Sequence, residues 1–244
     1  MIGGGNVREK EIGFGVSNEV FTQFPGYVRG VVLAYGVTNG ESSGRLTSLL
    51  RAAEASLRTK LNLDTISEHP RIFSWREAYR SFGAKPSKFR PSMEAMARRV
   101  LRNDELPSIS ALVDIGNIVS LRHILPAGGH AIEFVKEDIA LRPATGDEEF
   151  IALDSEEVET PSPGEIILVE GKTVLTRRWT WRQGKHTLVV PTTTDLEVNV
   201  DGLPPVPVEE VEEACREIME LIEEFCGGTT RYEVLSQANP VIKL

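Results

Sequence analysis

Residues 108–144 read SISALVDIGNIVSLRHILPAGGHAIEFVKEDIALRPA, and the spacing of the apolar residues changes within this stretch. Apolar residues first recur at steps of three and four, which predicts a helix over 109–124 with Ser108 as its N-cap and Pro126 after its end. From residue 138 onwards they form short runs typical of strands. Helical patterns precede this change and strand patterns follow it, without βαβ alternation. We therefore predict an α+β fold, in which a helical N-terminal half packs on a mostly antiparallel, β-rich half.

The other elements follow from the same two periods. Before the central stretch, the pattern predicts a strand at 27–37 and helices at 43–61, 70–82 and 91–101. After it, the pattern predicts strands at 138–144, 149–153, 165–169, 173–181 and 195–200 and a helix at Val208–Phe225. We expect a single domain over 1–244. It comprises a tail at 1–10, an N-terminal strand and helix extension at 11–70, a central region at 71–203, and an acidic C-terminal helix and tail at 204–244.

The composition excludes several classes of protein. With 244 residues, of which 41% are hydrophobic and 26% charged, the chain is long enough to bury a sizeable core. No apolar run approaches the roughly 18–20 residues of a membrane-spanning helix, and the first residues do not resemble a secretory signal. Cys215 and Cys226 lie about 16 Å apart along one predicted helix, which is too far for a disulfide. We expect a cytoplasmic protein without a membrane segment.

Catalytic and cofactor motifs give weak signals. Residues 40–44, GESSG, match G-x-S-x-G between a predicted strand and a predicted helix, which is the context of a nucleophile elbow. No oxyanion segment of the HGGG type accompanies it, and glycine and serine before a helix are also ordinary N-cap chemistry. The histidines and cysteines lack metal-ligand spacing, and the sequence contains neither a Walker loop nor G-x-G-x-x-G. We predict no metal and no cofactor.

The charge of the chain is unevenly distributed. The net charge is −9, yet residues 71–102 carry nine basic and two acidic side chains, whereas residues 209–224 carry eight glutamates and one arginine. A second basic cluster, at 177–185, includes two tryptophans. Basic side chains neutralise phosphates and aromatic rings stack on bases, so we predict that one face contacts RNA. The candidate contacts are Arg80, Lys85, Lys88, Arg90, Arg98, Arg99, Arg102, Arg177, Arg178, Trp181, Arg182 and Lys185. Alternatively, these charges form solvated helix faces and the tryptophans belong to the core.

Residues 112–119, LVDIGNIV, place a glycine inside the central predicted helix. Gly116 costs about 1 kcal/mol relative to alanine at such a position, which suggests that another group approaches the backbone closely. Asn117 places two hydrogen-bond donors and an acceptor beside that gap. Close packing of two helices, with Asn117 as a cap, explains the same residues equally well.

These eight residues resemble the VVDVTNYV signature of the editing module, the B-three/B-four domain, in the beta chain of phenylalanyl-tRNA synthetase. Segments at 126–134, 141–154 and 192–195 resemble later segments of that module, in the same order. The resemblance covers residues 71–203, and its flanks resemble those of a free-standing version of the module. It implies a single editing-like domain with the α+β fold of that family, rather than a synthetase.

The resemblance also implies a pocket and a partner. In that family the module binds the aminoacylated end of tRNA and hydrolyses tyrosine wrongly attached to the tRNA for phenylalanine. Asn117 matches a pocket asparagine and His130 a pocket histidine, whereas Gly116 stands where the family has threonine. The family's discriminating glutamate falls near Gln183, where this chain has no acidic residue. The resemblance implies that Gly116, Asn117, His130 and Gln183 line the pocket and that the amino-acid specificity differs.

The residues and the resemblance leave three functions to distinguish. The first is a free-standing editing protein that binds tRNA and acts as a deacylase, hydrolysing a mischarged aminoacyl-tRNA in trans. The second is a tRNA- or RNA-binding module without catalysis, and the third is a pocket for a free amino acid or another small molecule. The first two predict salt-dependent binding of tRNA, and only the first predicts release of an amino acid.

Overall fold

The computed structural model describes residues 12–244, so the predicted tail at 1–10 lies outside the described residues. The helices are α1 (Asn18–Gln23), α2 (Gly44–Lys60), α3 (Pro70–Ser81), α4 (Ser92–Leu101), α5 (Ala111–His123) and α6 (Val208–Phe225). The strands are β1 (Gly13–Val16), β2 (Val28–Tyr35), β3 (Ala127–Ala131), β4 (Ile139–Pro143), β5 (Phe150–Ile151), β6 (Val158–Glu159), β7 (Ile166–Glu170), β8 (Thr173–Arg177), β9 (Arg182–Gln183), β10 (Leu196–Gly202), β11 (Thr229–Leu235) and β12 (Val241–Lys243). The predictions of α2, α3, α4 and α6 are confirmed to within one residue at each end.

A four-stranded antiparallel sheet, in the order β11-β2-β10-β3, lies at the centre of the fold. Successive residues of β2 face opposite sides of this sheet. Val32 and Ala34 belong to a core shared with α2, α4, α5 and α6. Val31 and Leu33 belong to a second core, which is shared with a six-stranded sheet. Because residues 31–34 of β2 are buried on both faces, this part of the strand is a continuous apolar run rather than an alternating one.

Gly30 allows α6 to lie close to β2. A Cβ atom at this position would come within 2.9 Å of Cγ1 of Val211, and it would also meet the thiol of Cys215. Both residues lie on the buried face of α6. Close packing of helix on sheet therefore explains the one glycine in this strand.

The six-stranded sheet has the order β12-β1-β4-β7-β8-β9, and β1–β4 is the one parallel pair among its neighbours. Between the two sheets, the ring centroid of Trp179 lies 4.8 Å from that of Tyr27 and 5.0 Å from that of Trp75. The outer face carries a smaller core around Phe150, beside the two-stranded β5–β6 ribbon. The predicted α+β class with mostly antiparallel strands is confirmed.

Several strands escape prediction from local sequence. Residues 127–131, which follow the predicted end of the central helix and were not predicted as a strand, form β3 and pair with β10, although their sequence is AGGHA. The predicted C-terminal tail contains β11 and β12, which pair with β2 and β1. The partners of these strands lie far away in the chain, so the signal that orders them is not present in their own residues.

Helix α5 begins later than predicted. Its N-cap is Ser110 rather than Ser108. The hydroxyl of Ser108 donates instead to the carboxylate of Asp114, which also accepts a hydrogen bond from Ser42 at 2.6 Å. Asp114 thereby joins the loop before α5 to the loop before α2.

The G-x-S-x-G segment belongs to that second loop and is not a nucleophile elbow. Its central residue, Ser42, is bonded to Asp114 and contacts no histidine among residues 12–244. The next residue, Ser43, is the N-cap of α2 and accepts a hydrogen bond from the backbone of Leu46 at 3.2 Å. The motif therefore reflects ordinary capping chemistry.

Candidate functional site

Two adjoining cavities lie along β3. The first, of about 180 Å³, lies between α5 and the β3–β10 edge of the central sheet, where Gly116 and Asn117 line it. The second, of about 190 Å³, lies between the two sheets and is lined by His130 and Trp181, among others. Gln183, the last residue of β9, lines both cavities and so connects them. The structure thus brings the four predicted pocket residues around one connected site.

Asn117 and Gln183 present unused polar atoms to the first cavity. The amide of Asn117 makes no hydrogen bond within the described part of the chain. The Nε2 atom of Gln183 donates to the carbonyl oxygens of Gly129 and Thr187, at 2.9 and 3.2 Å. These bonds fix the side chain of Gln183 and leave its Oε1 atom to accept a hydrogen bond. The cavity therefore offers a ligand one free amide and one free carbonyl oxygen.

His130 is buried and held through both ring nitrogens. Nδ1 lies 2.6 Å from Oγ1 of Thr187 and 3.3 Å from Nε2 of Gln183, and Nε2 lies 3.1 Å from Oγ1 of Thr176. Because the amide nitrogen of Gln183 can only donate, we assign Nδ1 as the acceptor and Nε2 as the protonated nitrogen. Burial lowers the pKa of His130 to about 3, and the charge of Arg29 adds to the effect. His130 is therefore a neutral, fixed group that is too weak a base to take a proton from water at neutral pH.

Buried charges border the second cavity. Arg29 lines it and donates from Nη1 to Oδ1 of Asp201 at 3.1 Å. Asn199 donates to the other oxygen of this carboxylate at 2.9 Å. The carboxylate of Glu197, 4.0 Å from Nε2 of His130, accepts no hydrogen bond from any residue in the range 12–244. Burial raises the pKa of Asp201 above its usual value, and the charge of Arg29 opposes this rise. Burial also raises the pKa of Glu197, to about 8.

The pH dependence of stability should reveal Glu197. Its carboxyl pKa is about 8 in the folded chain and about 4.3 in the unfolded chain, so it stabilises the fold at low pH, and this contribution is lost as the pH rises to 8. His130 acts in the opposite sense, because its pKa is about 3 when folded and about 6.5 when unfolded. The two effects offset each other between about pH 4.3 and 6.5, and above about pH 6.5 the effect of Glu197 is no longer offset. We expect Glu197→Gln to lessen the decline in stability between about pH 6.5 and 8, as measured by urea unfolding. An identical decline in the variant would contradict this assignment.

The second basic cluster contains a turn with unusual backbone geometry at Arg178 and Trp179, two residues before Trp181. Arg178 and Trp179 have φ angles of 46° and 64°, in the left-handed region that side-chain-bearing residues rarely adopt. The turn ends β8 at Arg177, whereas the sequence predicted that the strand continues to residue 181. Trp179 is buried in the core and Trp181 is partly exposed, and both line the second cavity. Backbone strain of this kind is common beside ligand sites.

Arg178 joins Trp181 to the loop before α4. Its guanidinium carbon lies 3.7 Å from the ring centroid of Phe89 and 4.4 Å from that of Trp181. The backbone nitrogen of Ser92 donates to the carbonyl oxygen of Thr180 at 3.0 Å, and both residues line the second cavity. The basic loop before α4 therefore lies beside the entrance to that cavity.

The predicted RNA contacts differ in their exposure. Six are exposed, namely Arg80, Lys85, Lys88, Arg90, Arg99 and Arg102. Four are partly exposed, namely Arg178, Trp181, Arg182 and Lys185. Arg182 and Lys185 pair with acidic residues on the surface, and such pairs are weak enough to exchange for a phosphate. Nine of these ten residues are available to a polyanion, whereas the side chain of Arg178 is 12% exposed and lies 3.6 Å from the buried carboxylate of Glu165.

Two predicted RNA contacts are occupied within the protein. Arg177 is 5% exposed and pairs with Glu165 at 2.8 Å and Glu159 at 2.6 Å, so it is not available to a phosphate, contrary to the prediction. Arg98 donates to Glu94 at 2.8 Å. Glu94 is completely buried, and Arg98 compensates its charge together with Arg76, which donates to the same carboxylate at 2.8 Å, so this role too differs from the predicted one.

Four polar residues of the site were not identified from the sequence, because they belong to no recognisable motif. They are Arg29, Glu197, Asn199 and Asp201. Three of them alternate with apolar residues in β10, which reads LEVNVDG. Such alternation is typical of a strand with one face in solvent. Here every residue of β10 is buried, because the second sheet covers the polar face. The alternating polar residues of β10 were therefore visible in the sequence. Their burial depends on the second sheet, which the sequence does not reveal.

The fold and the connected cavities define an α+β domain with a ligand-sized site between a helix and two sheets. Residues 74–227 match the family model described as the B3/4 domain, and the chain belongs to this family. This match confirms the resemblance predicted from residues 112–119. It establishes the family and leaves the activity of this chain to be argued from its own site.

Among solved structures, the chain is similar to an N-terminal fragment of the phenylalanyl-tRNA synthetase beta-subunit from Pyrococcus horikoshii. The two share 13% identity with a TM-score of 0.47, and the alignment covers 91% of this chain and 51% of the other. The chain thus spans about half the length of that fragment. No curated protein matches it. Within residues 12–244, none of the helices has the length and apolar character required to cross a lipid bilayer.

Proposed function

We propose that this protein binds the aminoacylated 3′ end of a tRNA and hydrolyses the ester bond in trans. The observation that carries the proposal is the free amide of Asn117, which faces the first cavity together with the fixed Gln183 in a member of the B3/4 domain family. In this proposal the first cavity holds the aminoacyl group and the second holds the terminal nucleotide. The reaction takes place in the cytoplasm, where tRNA is charged.

The proposed reaction needs little chemical assistance, because an aminoacyl ester is already activated. The oxygen of a water molecule attacks the ester carbonyl carbon, the bond from that carbon to the ribose oxygen breaks, and a proton of the water passes to the ribose oxygen. Asn117 donates to the carbonyl oxygen, where negative charge develops, and Oε1 of Gln183 orients the water. His130 holds the amide of Gln183 in place and takes no proton itself.

Exposed basic residues beside the second cavity are proposed to hold the phosphates of the acceptor end. We expect the combined substitution of Lys85, Lys88 and Arg90 by alanine to weaken tRNA binding. The slope of log affinity against log salt concentration should fall by about 2, because each phosphate contact of a single strand contributes about 0.7. Filter binding at several salt concentrations measures this slope.

The matched control for this experiment replaces three exposed lysines that line neither cavity, namely Lys60, Lys136 and Lys172. It removes the same positive charge from other parts of the surface. Its salt dependence should equal that of the unmodified protein. A fall of equal size in both variants would show that only the overall charge matters, and would contradict the proposed contact surface.

A second candidate function is an RNA-binding module without catalysis. It is favoured by His130, because its low pKa and its internal hydrogen bonds leave that residue unable to act as a general base. The deciding experiment measures binding of charged and uncharged total tRNA, followed by release of the amino acid. Binding with release of one amino acid supports the deacylase, and binding without release supports the second candidate. Absence of binding near physiological salt contradicts both.

A further inference from the structure

We infer that the first cavity takes an apolar amino-acid side chain and rejects an isosteric one that carries a hydroxyl or amide group. This inference rests on the proposed function, since it treats the cavity as the place of the aminoacyl group. It assigns the substrate class, which is a tRNA charged with an amino acid between valine and phenylalanine in size.

Aliphatic side chains form most of the wall of this cavity. They include Leu112, Leu188, Val189, Leu196 and Val198. Three of them, from α5 and β10, also belong to the main core, so the wall is rigid. The polar side chains in the lining are those of Asn117 and Gln183.

In the proposed function, the polar atoms of the first cavity interact with the reacting ester, which is the same for every amino acid. Gln183 lies where the first cavity joins the second, and so faces the direction from which the ribose ester enters in the proposed function. The ester carbonyl is common to all aminoacyl-tRNAs and accepts the hydrogen bond of Asn117, and the attacking water donates to Oε1 of Gln183. The variable side chain is then left with aliphatic contacts.

The size of the cavity limits what it accepts. Its volume is about 180 Å³. An apolar cavity of roughly 150 Å³ holds a benzene ring, so a branched aliphatic chain or a phenyl ring fits here. A side chain of the same shape with a hydroxyl or amide would bury that group without a partner. Apolar pockets discriminate against such isosteres by roughly 10- to 100-fold.

Gly116 sets the depth of the cavity. A Cβ atom built on Gly116 meets no heavy atom within 4 Å, so a side chain at this position extends into the cavity without clashing with the protein. Helix propensity favours most other residues over glycine, so the fold itself gives no reason for glycine here. Gly44, the first residue of α2, also meets nothing within 4 Å and lines neither cavity. It provides a matched control.

The test compares two isosteric pairs of ligands by titration of the full chain. The first pair is leucinamide and asparagine amide, and the second is the leucyl and asparaginyl amides of 3′-amino-3′-deoxyadenosine, which cannot be hydrolysed as esters. We expect the leucyl member of each pair to bind at least about tenfold more tightly. Gly116→Val should remove this preference, and its circular dichroism spectrum should be unchanged, which shows that the variant folds. Gly44→Val should retain the preference. Equal affinity within both pairs, or a full leucyl preference in Gly116→Val, overturns the inference.

The two ligand pairs separate this inference from the proposed function. If leucinamide is preferred but the adenosine analogues bind no better than the amides and tRNA does not bind, the cavity assignment is supported and the proposed function fails. If charged tRNA is bound and hydrolysed without regard to the side chain, the proposed function is supported and the inference is overturned.

Discussion

Replacing Asp201 by alanine is expected to lower the free energy of unfolding by about 3–5 kcal/mol. Arg29 is 1% exposed and stays ionised, and Asp201 is the carboxylate that pairs with it at 3.1 Å. The phenol of Tyr27 donates to the same carboxylate, and the ring of Tyr27 packs against Trp179 between the sheets. Without Asp201, the guanidinium stays buried without its salt bridge, and the phenol loses its acceptor. Urea unfolding at pH 7, followed by tryptophan fluorescence, measures the effect.

Two substitutions on the same strand or next to it serve as controls. Asp195→Ala removes a partly exposed carboxylate that accepts hydrogen bonds from the backbone of Gly36 and from the exposed hydroxyl of Thr194, so a loss of no more than about 1.5 kcal/mol is expected. Glu197→Gln alters a buried carboxyl group that has no hydrogen-bond partner among the described residues. It should be neutral or stabilising at pH 7. If Asp201→Ala costs no more than Asp195→Ala, the buried pair does not stabilise the fold as argued.

Asn117→Ala is expected to lower kcat/KM for deacylation by about 100- to 1000-fold, which is the usual effect of removing a donor to a developing oxyanion. The melting temperature should barely change. The amide of Asn117 has no hydrogen-bond partner between residues 12 and 244, so its removal leaves no buried group unsatisfied. Alanine also has a higher helix propensity than asparagine. Single-turnover release of the amino acid from charged tRNA and thermal unfolding measure the two effects.

Two other asparagines, Asn199 and Asn62, provide comparison variants for Asn117→Ala. Asn199 lines the second cavity, but its amide donates to Asp201 at 2.9 Å, so Asn199→Ala should lower the melting temperature. Asn62, an exposed residue that lines neither cavity, should tolerate alanine without loss of activity. If Asn117→Ala hydrolyses charged tRNA at the normal rate, Asn117 is not the oxyanion donor. If this variant loses much stability, the amide of Asn117 has a structural role.

Amphipathic helices were predictable because their signal is local. Helix α6 begins and ends at the predicted residues, since an apolar stripe with a period of 3.6 can be recognised without knowing what covers it. Strand β3 carries no such signal in AGGHA, and its order comes from pairing with β10. Strands β11 and β12 likewise depend on β2 and β1, which lie at the other end of the chain.

The family could be recognised from the sequence alone, because a motif keeps its order along the chain. The four residues that the resemblance assigns to a pocket line the two cavities. Their chemistry was decided only in three dimensions. Arg177 and Lys88 are both basic residues in basic segments, yet the first is buried between two glutamates and the second is exposed. His130 loses its basicity because folding buries it near Arg29, about 100 positions away in the sequence. The pKa and the availability of a charge depend on burial and on neighbours within a few ångströms, and distant segments of the chain supply both.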